Sequence, residues 1–152
     1  MARLPSFLKY WLPVMLWMLV IFSFSTDAGS TSRTSRFIGP ALRWLIPDIS
    51  DRTIARVQYV IRKGGHLTEY AILAALMWRA VRRPIRNDPR GWKWPEAGLV
   101  LGLALLFACT DEVHQALVPS RQGRVSDVLI DGTGAALGLL TARAFGRWKR
   151  LC

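Results

Sequence analysis

Histidine, lysine and carboxylates recur at helical spacing in three segments of the chain that are otherwise apolar. In the first segment Lys63, His66 and Tyr70 lie three and then four residues apart, which stacks them on one stripe of a helix, and Glu69 stands close to His66 along the same helix. In the second, Asp111, His114 and Gln115 share a face by the same spacing, with Glu112 about 100° round the helix from Asp111. In the third, Asp127 and Asp131 are one turn apart, preceded by Arg121 and Arg124 in a short connection. Both histidines of the chain belong to this set. Carboxylate beside imidazole is the pairing of general acid and base catalysis, because the carboxylate holds the ring in one tautomer. Lys and Arg nearby suit an anionic group, Arg forking onto phosphate. His114 is the expected base, oriented by Glu112 or Asp111, with His66 and Glu69 as further members. Lys63, Tyr70, Gln115, Arg121, Arg124 and Asp127 form the expected anion or lipid-binding set.

Two histidines and several carboxylates also offer donors to a divalent metal. No fixed pattern such as His-Glu-x-x-His occurs, however, and the basic rim opposes a cation. No metal ligands are assigned and no cofactor is expected, with a divalent metal kept as the minor option. The sequence holds no nucleophile elbow, P-loop or dinucleotide fingerprint.

The elements that must carry these residues are membrane helices. The chain has 152 residues, about one domain's worth, and 51% of them are hydrophobic, gathered in long blocks separated by Arg-rich stretches. Four blocks approach the roughly 20 residues needed to cross hydrocarbon: about 7–24, 63–81, 97–118 and 125–145. The second reaches that length only if its helix begins near Lys63, which draws Lys63, His66 and Glu69 into the bundle. Between the first two blocks, Phe37 to Ile46 and Thr53 to Ile61 mix Arg with large apolar residues, and both are expected as helices lying in the interface, one of them re-entrant as the alternative. The expected fold is thus an all-α integral membrane protein, a four-helix transmembrane bundle with short interfacial helices between spans one and two, the whole 1–152 forming a single domain. The first block also resembles a signal peptide, yet an uncleaved first span serves equally well and is the expectation.

A net charge of +11 raises nucleic acid as a partner, but the basic residues flank apolar blocks instead of forming one accessible face, so no nucleic acid is expected. The segment from Arg79 to Lys93 alone carries six basic residues with Pro84 and Pro89, a strong cytoplasmic loop. Density of Lys and Arg places both termini on the cytoplasmic side. Eight of the ten acidic residues then fall on the outer side, with the reactive constellation at that end. Cys109 and Cys152 fall near opposite faces, which disfavours an intrachain disulfide. Each residue alone has an ordinary reading: His66 and Lys63 as snorkelling groups, Asp111 and Glu112 as partners of Arg121 or Arg124, the seven tryptophans as interface anchors, and Gly134 with Gly138 as a small-xxx-small packing seam. Three helices converging at one end is what favours a shared site, since charge inside a membrane costs about 2.5 to 3.5 kcal/mol per residue at mid-depth.

The stretches Arg62-Lys-Gly-Gly-His-Leu-Thr-Glu-Tyr-Ala-Ile-Leu and Asp111-Glu-Val-His-Gln-Ala-Leu-Val-Pro-Ser-Arg-Gln-Gly-Arg-Val-Ser-Asp-Val-Leu-Ile-Asp-Gly-Thr-Gly resemble the VanZ-like family. Those bacterial membrane proteins are named for a member associated with low-level teicoplanin resistance. The likeness spans about Trp11 to Leu140, including the polar exit of the first span. It maps a Lys-x-x-His-x-x-Glu-Tyr pattern onto Lys63, His66, Glu69 and Tyr70, and an Asp-Glu-x-x-Gln pattern with following Pro and Arg onto Asp111, Glu112, Gln115, Pro119 and Arg121. The last-span Asp and Gly map onto Asp127 and Gly134. This chain has Asp131 where many relatives carry Asn, which puts a neutral hydrogen-bonding role there in doubt, and Ser120 where Gly is frequent. The resemblance implies a cell-envelope function without a defined chemistry.

Two functions compete. The first is a module whose outer pocket grips an anionic lipid or lipid-linked wall precursor and alters teicoplanin susceptibility; the second is a hydrolase or transferase acting on such a lipid through His114 and its carboxylates. Transport ranks below both, because no intramembrane charge continues a path through the cytoplasmic half. A topology reporter fused after Arg90 is expected to read out on the cytoplasmic side; external readout would invert the orientation.

Overall fold

A computed structural model describes residues 6–26, 31–83, 91–119 and 123–151. They form five helices in the order α1 (Ser6–Ser25), α2 (Thr31–Leu45), α3 (Asp51–Arg82), α4 (Trp94–Leu117) and α5 (Val125–Leu151), with no strand among the described residues. Three of the helices are long and apolar enough to cross a membrane, over Phe7–Ser25, Trp94–Leu117 and Val125–Gly146. These coincide with the first, third and fourth expected spans.

The middle of the chain differs from expectation. The segment Thr53 to Ile61 is not a separate interfacial helix but the opening of α3, which runs unbroken for 32 residues through the expected second span. Its start is fixed at Ser50, whose hydroxyl accepts from the Thr53 amide at 3.2 Å while Asp51 supplies negative charge to the first turn. Nothing then stops the helix until Arg83 adopts a left-handed conformation and its amide closes on the Arg79 carbonyl at 3.0 Å. Only α2 remains as a short helix between α1 and α3. It is amphipathic and leaves Phe37, Trp44 and Leu45 exposed, and Arg43 pairs with Asp51 at 2.5 Å to hold it against α3.

Packing is inverted relative to a water-soluble protein. Large apolar residues point outward along α1 (Leu12, Met15, Leu16, Leu19), α4 (Leu99, Leu106, Val113) and α5 (Leu129, Leu137, Leu140). The interior is lined by small residues, including Ala74, Ala80, Ala104, Ala108 and Ala135, beside Val14, Ile21, Leu73 and Val100. On α4 the buried positions Ala97, Val100, Ala104, Ala108, Asp111 and Gln115 repeat every three or four residues, so one stripe faces the bundle along its whole length and turns polar at its end.

α3 is the central helix, packing against the other four, and its closest neighbour is α5. A Cβ on Gly134 would stand 3.0 Å from the Leu67 Cα, and one on Gly138 2.8 Å from the Ala71 Cα, so the small-xxx-small seam brings two backbones together. The Trp17 indole donates to the Glu69 carbonyl at 2.9 Å, fixing α1 against α3. At the far end, Trp78 stacks on Trp92 with centroids 4.2 Å apart, Arg143 lies 4.8 Å over Trp94, and Arg82 reaches the Gly91 carbonyl at 2.7 Å and Glu96 at 3.2 Å.

Gly138→Val is expected to lower stability by about 1–3 kcal/mol, because the α3 backbone cannot yield as a side chain would. Gly64→Ala, which meets nothing within 4 Å, is expected to be neutral or stabilising by up to about 1 kcal/mol. Thermal unfolding of the detergent-solubilised protein, followed by tryptophan fluorescence, separates the two.

Candidate functional site

The α3–α5 seam places two titratable pairs in register. Lys63 is hydrogen-bonded and ion-paired to Asp127, and one turn further along both helices His66 Nδ1 meets Asp131 Oδ1 at 3.0 Å. Asp127 and Asp131 are almost completely buried and His66 nearly so. Ser126 donates a further bond of 3.1 Å to Asp127 Oδ1. Asp127 sits in the first turn of α5, where the exposed amides of the helix start favour a carboxylate.

A second layer joins α1 to α4. The Ser25 hydroxyl donates to Asp111 Oδ1 at 2.5 Å, the Gln115 amide donates to Asp111 Oδ2 at 3.0 Å, and the same amide reaches the Ser25 oxygen at 3.4 Å. All three residues are buried. Glu112, on the adjacent face of α4, accepts from the Arg124 amide at 2.7 Å through Oε2 and thereby ties the start of α5 to α4. Gly123 permits that closure: a Cβ there would fall on the Glu112 carbonyl and 2.9 Å from the Ala116 Cβ. Tyr70 lies between the layers, fully buried, its ring tilted against Phe107 at 6.2 Å.

The expected residues separate into groups. Lys63, His66, Tyr70, Asp111, Glu112, Gln115 and Asp127 all reach the interior of one end of the bundle. Glu69 is half-buried, and its main-chain carbonyl anchors α1. Arg124 is exposed at the rim. Arg121 lies outside the described residues. His114 stacks on Phe22 of α1 with centroids 4.2 Å apart, whereas Asp111 and Glu112 direct their carboxylates to Ser25, Gln115 and Arg124. The histidine that a carboxylate orients is therefore His66, and the orienting residue is Asp131. The sequence reading places Asp131 in the constellation, one turn from Asp127, but gives it no role, and it misses Ser25 altogether. Ser25 lies in the polar exit of the first span, and nothing in its own segment announces Asp111.

Several buried atoms have no hydrogen-bond partner among the described residues: Tyr70 Oη, Glu112 Oε1, His114 Nε2 and Asp131 Oδ2. His66, Glu112 and Asp127 each offer a donor atom within 4.8 Å of the others, the one group in the described residues with metal-ligating spacing. The chemistry available at this end is a carboxylate-held imidazole beside a second carboxylate and an ammonium, enclosed by apolar helices.

The family model described as VanZ/LLP1 matches residues 10–146. No curated protein and no solved structure matches the chain.

Asp111→Ala is expected to cost about 1–3 kcal/mol, since the buried Ser25 hydroxyl and Gln115 amide lose their common acceptor. Asp111→Asn, which keeps an acceptor oxygen, should retain part of that stability in the same unfolding assay.

Proposed function

This chain belongs to the VanZ/LLP1 family, and we propose that it is a cell-envelope protein of the bacterial cytoplasmic membrane, a single domain of four spans whose polar end faces outward and engages the headgroup of an anionic lipid or lipid-linked wall precursor. α3 is the fourth span in this reading. Its stretch from Lys63 to Arg82 is 20 residues, about 30 Å of helix, matched to the hydrocarbon. Its polar groups His66 and Tyr70 are buried against neighbouring helices, the arrangement under which a charged span is tolerated in a membrane. The first three turns of α3 and all of α2 then project beyond the span, with the exposed aromatic and aliphatic residues of α2 at headgroup depth.

The observation that carries the ligand-binding reading is convergence. Buried Ser25, His66, Asp111, Glu112, Gln115, Asp127 and Asp131 come from four helices to one end of the bundle, a concentration of desolvated polarity that packing alone does not require. Lys63 and the rim residues Arg62 and Arg124 supply the positive charge for a phosphate-bearing headgroup. Occupation of a wall precursor's headgroup would alter teicoplanin susceptibility.

The enzyme reading, a hydrolase or transferase acting on such a lipid, is supported by one specific feature: the Asp131–His66 pair beside the unpartnered Glu112 Oε1. In that reading His66 takes the role that spacing alone gave to His114. Untargeted lipid analysis of membranes with and without the protein separates the readings. Binding predicts a lipid that co-purifies with the wild type and is lost in Lys63→Met, with unchanged membrane composition; catalysis predicts a new or missing lipid species that His66→Gln restores to the level of membranes lacking the protein. Neither result in either sample would remove both readings.

A further inference from the structure

We propose that His66, Glu112 and Asp127 bind a divalent transition-metal cation of the zinc or manganese type, with a coordination position left open for an oxygen of the headgroup. This rests on the reading of this end of the bundle as a ligand site and supplies what that reading lacks. The enclosed charge there is mostly negative: Asp111, Glu112, Asp127 and Asp131 are all buried, and Lys63 is the cation paired among them. Such a pocket repels an anion, whereas a divalent ion between carboxylates and phosphate attracts it.

Three donors already stand at ligand spacing. One atom each from His66, Glu112 and Asp127 lies within 4.8 Å of the others, and the three residues arrive from three different helices. Glu112 points to the vacant coordination. It is 6% exposed, its Oε2 is taken by the Arg124 amide, and its Oε1 has no partner among the described residues. A buried carboxylate oxygen left without a donor is expensive, and a cation satisfies it.

Each donor is also held from behind, as ligands of a metal are. His66 Nδ1 is fixed by Asp131 at 3.0 Å, so Nε2 is the nitrogen left to ligate, in the carboxylate–histidine–metal arrangement. Asp127 Oδ1 is engaged by Lys63 and Ser126, which leaves Oδ2. Glu112 is steered through its Oε2 by a main-chain amide. One imidazole with two carboxylates is a borderline donor set that favours zinc or manganese over magnesium and calcium, which take oxygen ligands throughout. Three protein ligands leave zinc or manganese a free position, as in open metal sites. Lys63, beside Asp127, is placed to meet a second oxygen of the same phosphate.

The test uses the full chain in nanodiscs of phosphatidylcholine, with its affinity tag removed and stripped with a chelator. It is then dialysed against ZnCl2 or MnCl2 alone, and bound metal is measured by elemental analysis. A single ion per chain is expected. Glu112→Gln and His66→Gln should weaken binding at least about tenfold, and Asp131→Asn should weaken it by roughly 10 to 100-fold as an outer partner of a ligand. Asp48→Asn, an exposed position, should bind as wild type. Tryptophan fluorescence establishes that each variant is folded. Manganese-loaded wild type provides a readout free of substitutions, since nitrogen hyperfine coupling in its paramagnetic resonance reports the imidazole. Absence of retained metal, absence of nitrogen coupling, or equal retention by folded His66→Gln and Glu112→Gln overturns the proposal. No anionic lipid is present, so failure of the lipid reading leaves this result standing. Lipid capture that persists in a protein found to bind no metal would overturn the metal and keep the lipid.

Discussion

The close approach of α5 to α3 is the constraint from which the rest of the bundle follows. Gly134 and Gly138 bring the α5 backbone onto the main chain at Leu67 and Ala71, and at that separation no ordinary side chain fits between the helices. Both helices leave the polar end in the same direction, so the seam fixes register as well as distance. Lys63 falls beside Asp127 and His66 beside Asp131, and a shift of one residue would leave two carboxylates and two bases buried without partners. The buried pairs contribute specificity to a contact whose attraction comes mainly from packing. In lipid this division of labour is expected, because apolar helices gain little from meeting one another and close fit must replace the hydrophobic effect.

The two ends of the bundle solve the problem of a membrane boundary differently. At one, Arg82, Arg143 and the Trp78, Trp92 and Trp94 rings form a cation–aromatic belt with most of its polar atoms supplied by chain close to the loop. Such belts match the interfacial preference of Trp and Arg and require no ligand. At the other, polarity runs inward, and the groups are short acidic side chains that cannot snorkel to water. Their partners come from distant segments: Ser25 to Asp111 and Lys63 to Asp127 each close a long loop of chain.

Much of this was legible from the sequence, and the exceptions share a cause. The apolar blocks give α1 to within one residue, α4 to within three and the start of α5, which runs six residues past the expected end, because a run of that length and composition has few other uses. The length of α3 was hidden by its own charges: Arg56, Arg62 and Lys63 look like a boundary when a membrane is assumed to begin there. The cap at Ser50 and the absence of proline between Pro47 and Arg83 were the local signals of one continuous helix. For the site, spacing on one helix grouped Lys63, His66 and Tyr70, and Asp111 with Gln115, the last two of which are joined by a hydrogen bond. It grouped His114 with them too, but residues three and four apart cover a broad face, and the neighbouring helix decides what each part of that face meets. Phe22 of α1 takes the His114 ring, and nothing in the α4 sequence specifies that contact. Partner choice between helices is a tertiary property that periodicity within one helix does not encode.

That limit bears on how the site is understood. Taken helix by helix, each reactive segment mixes bases with acids and looks balanced, and the surrounding arginines make the region look suited to anions. Assembly redistributes this balance. Arg124 ends at the rim and its amide reaches Glu112; the acids of α4 and α5 turn inward together, and Lys63 follows them. The enclosed volume is therefore acidic and its border basic, a polarity that the linear sequence does not display. In the function proposed above, a ligand would have to satisfy both zones, with negative charge toward the border and positive charge toward the interior. A cation held inside and a phosphate held at the mouth meet that requirement together, where either alone would leave one zone opposed.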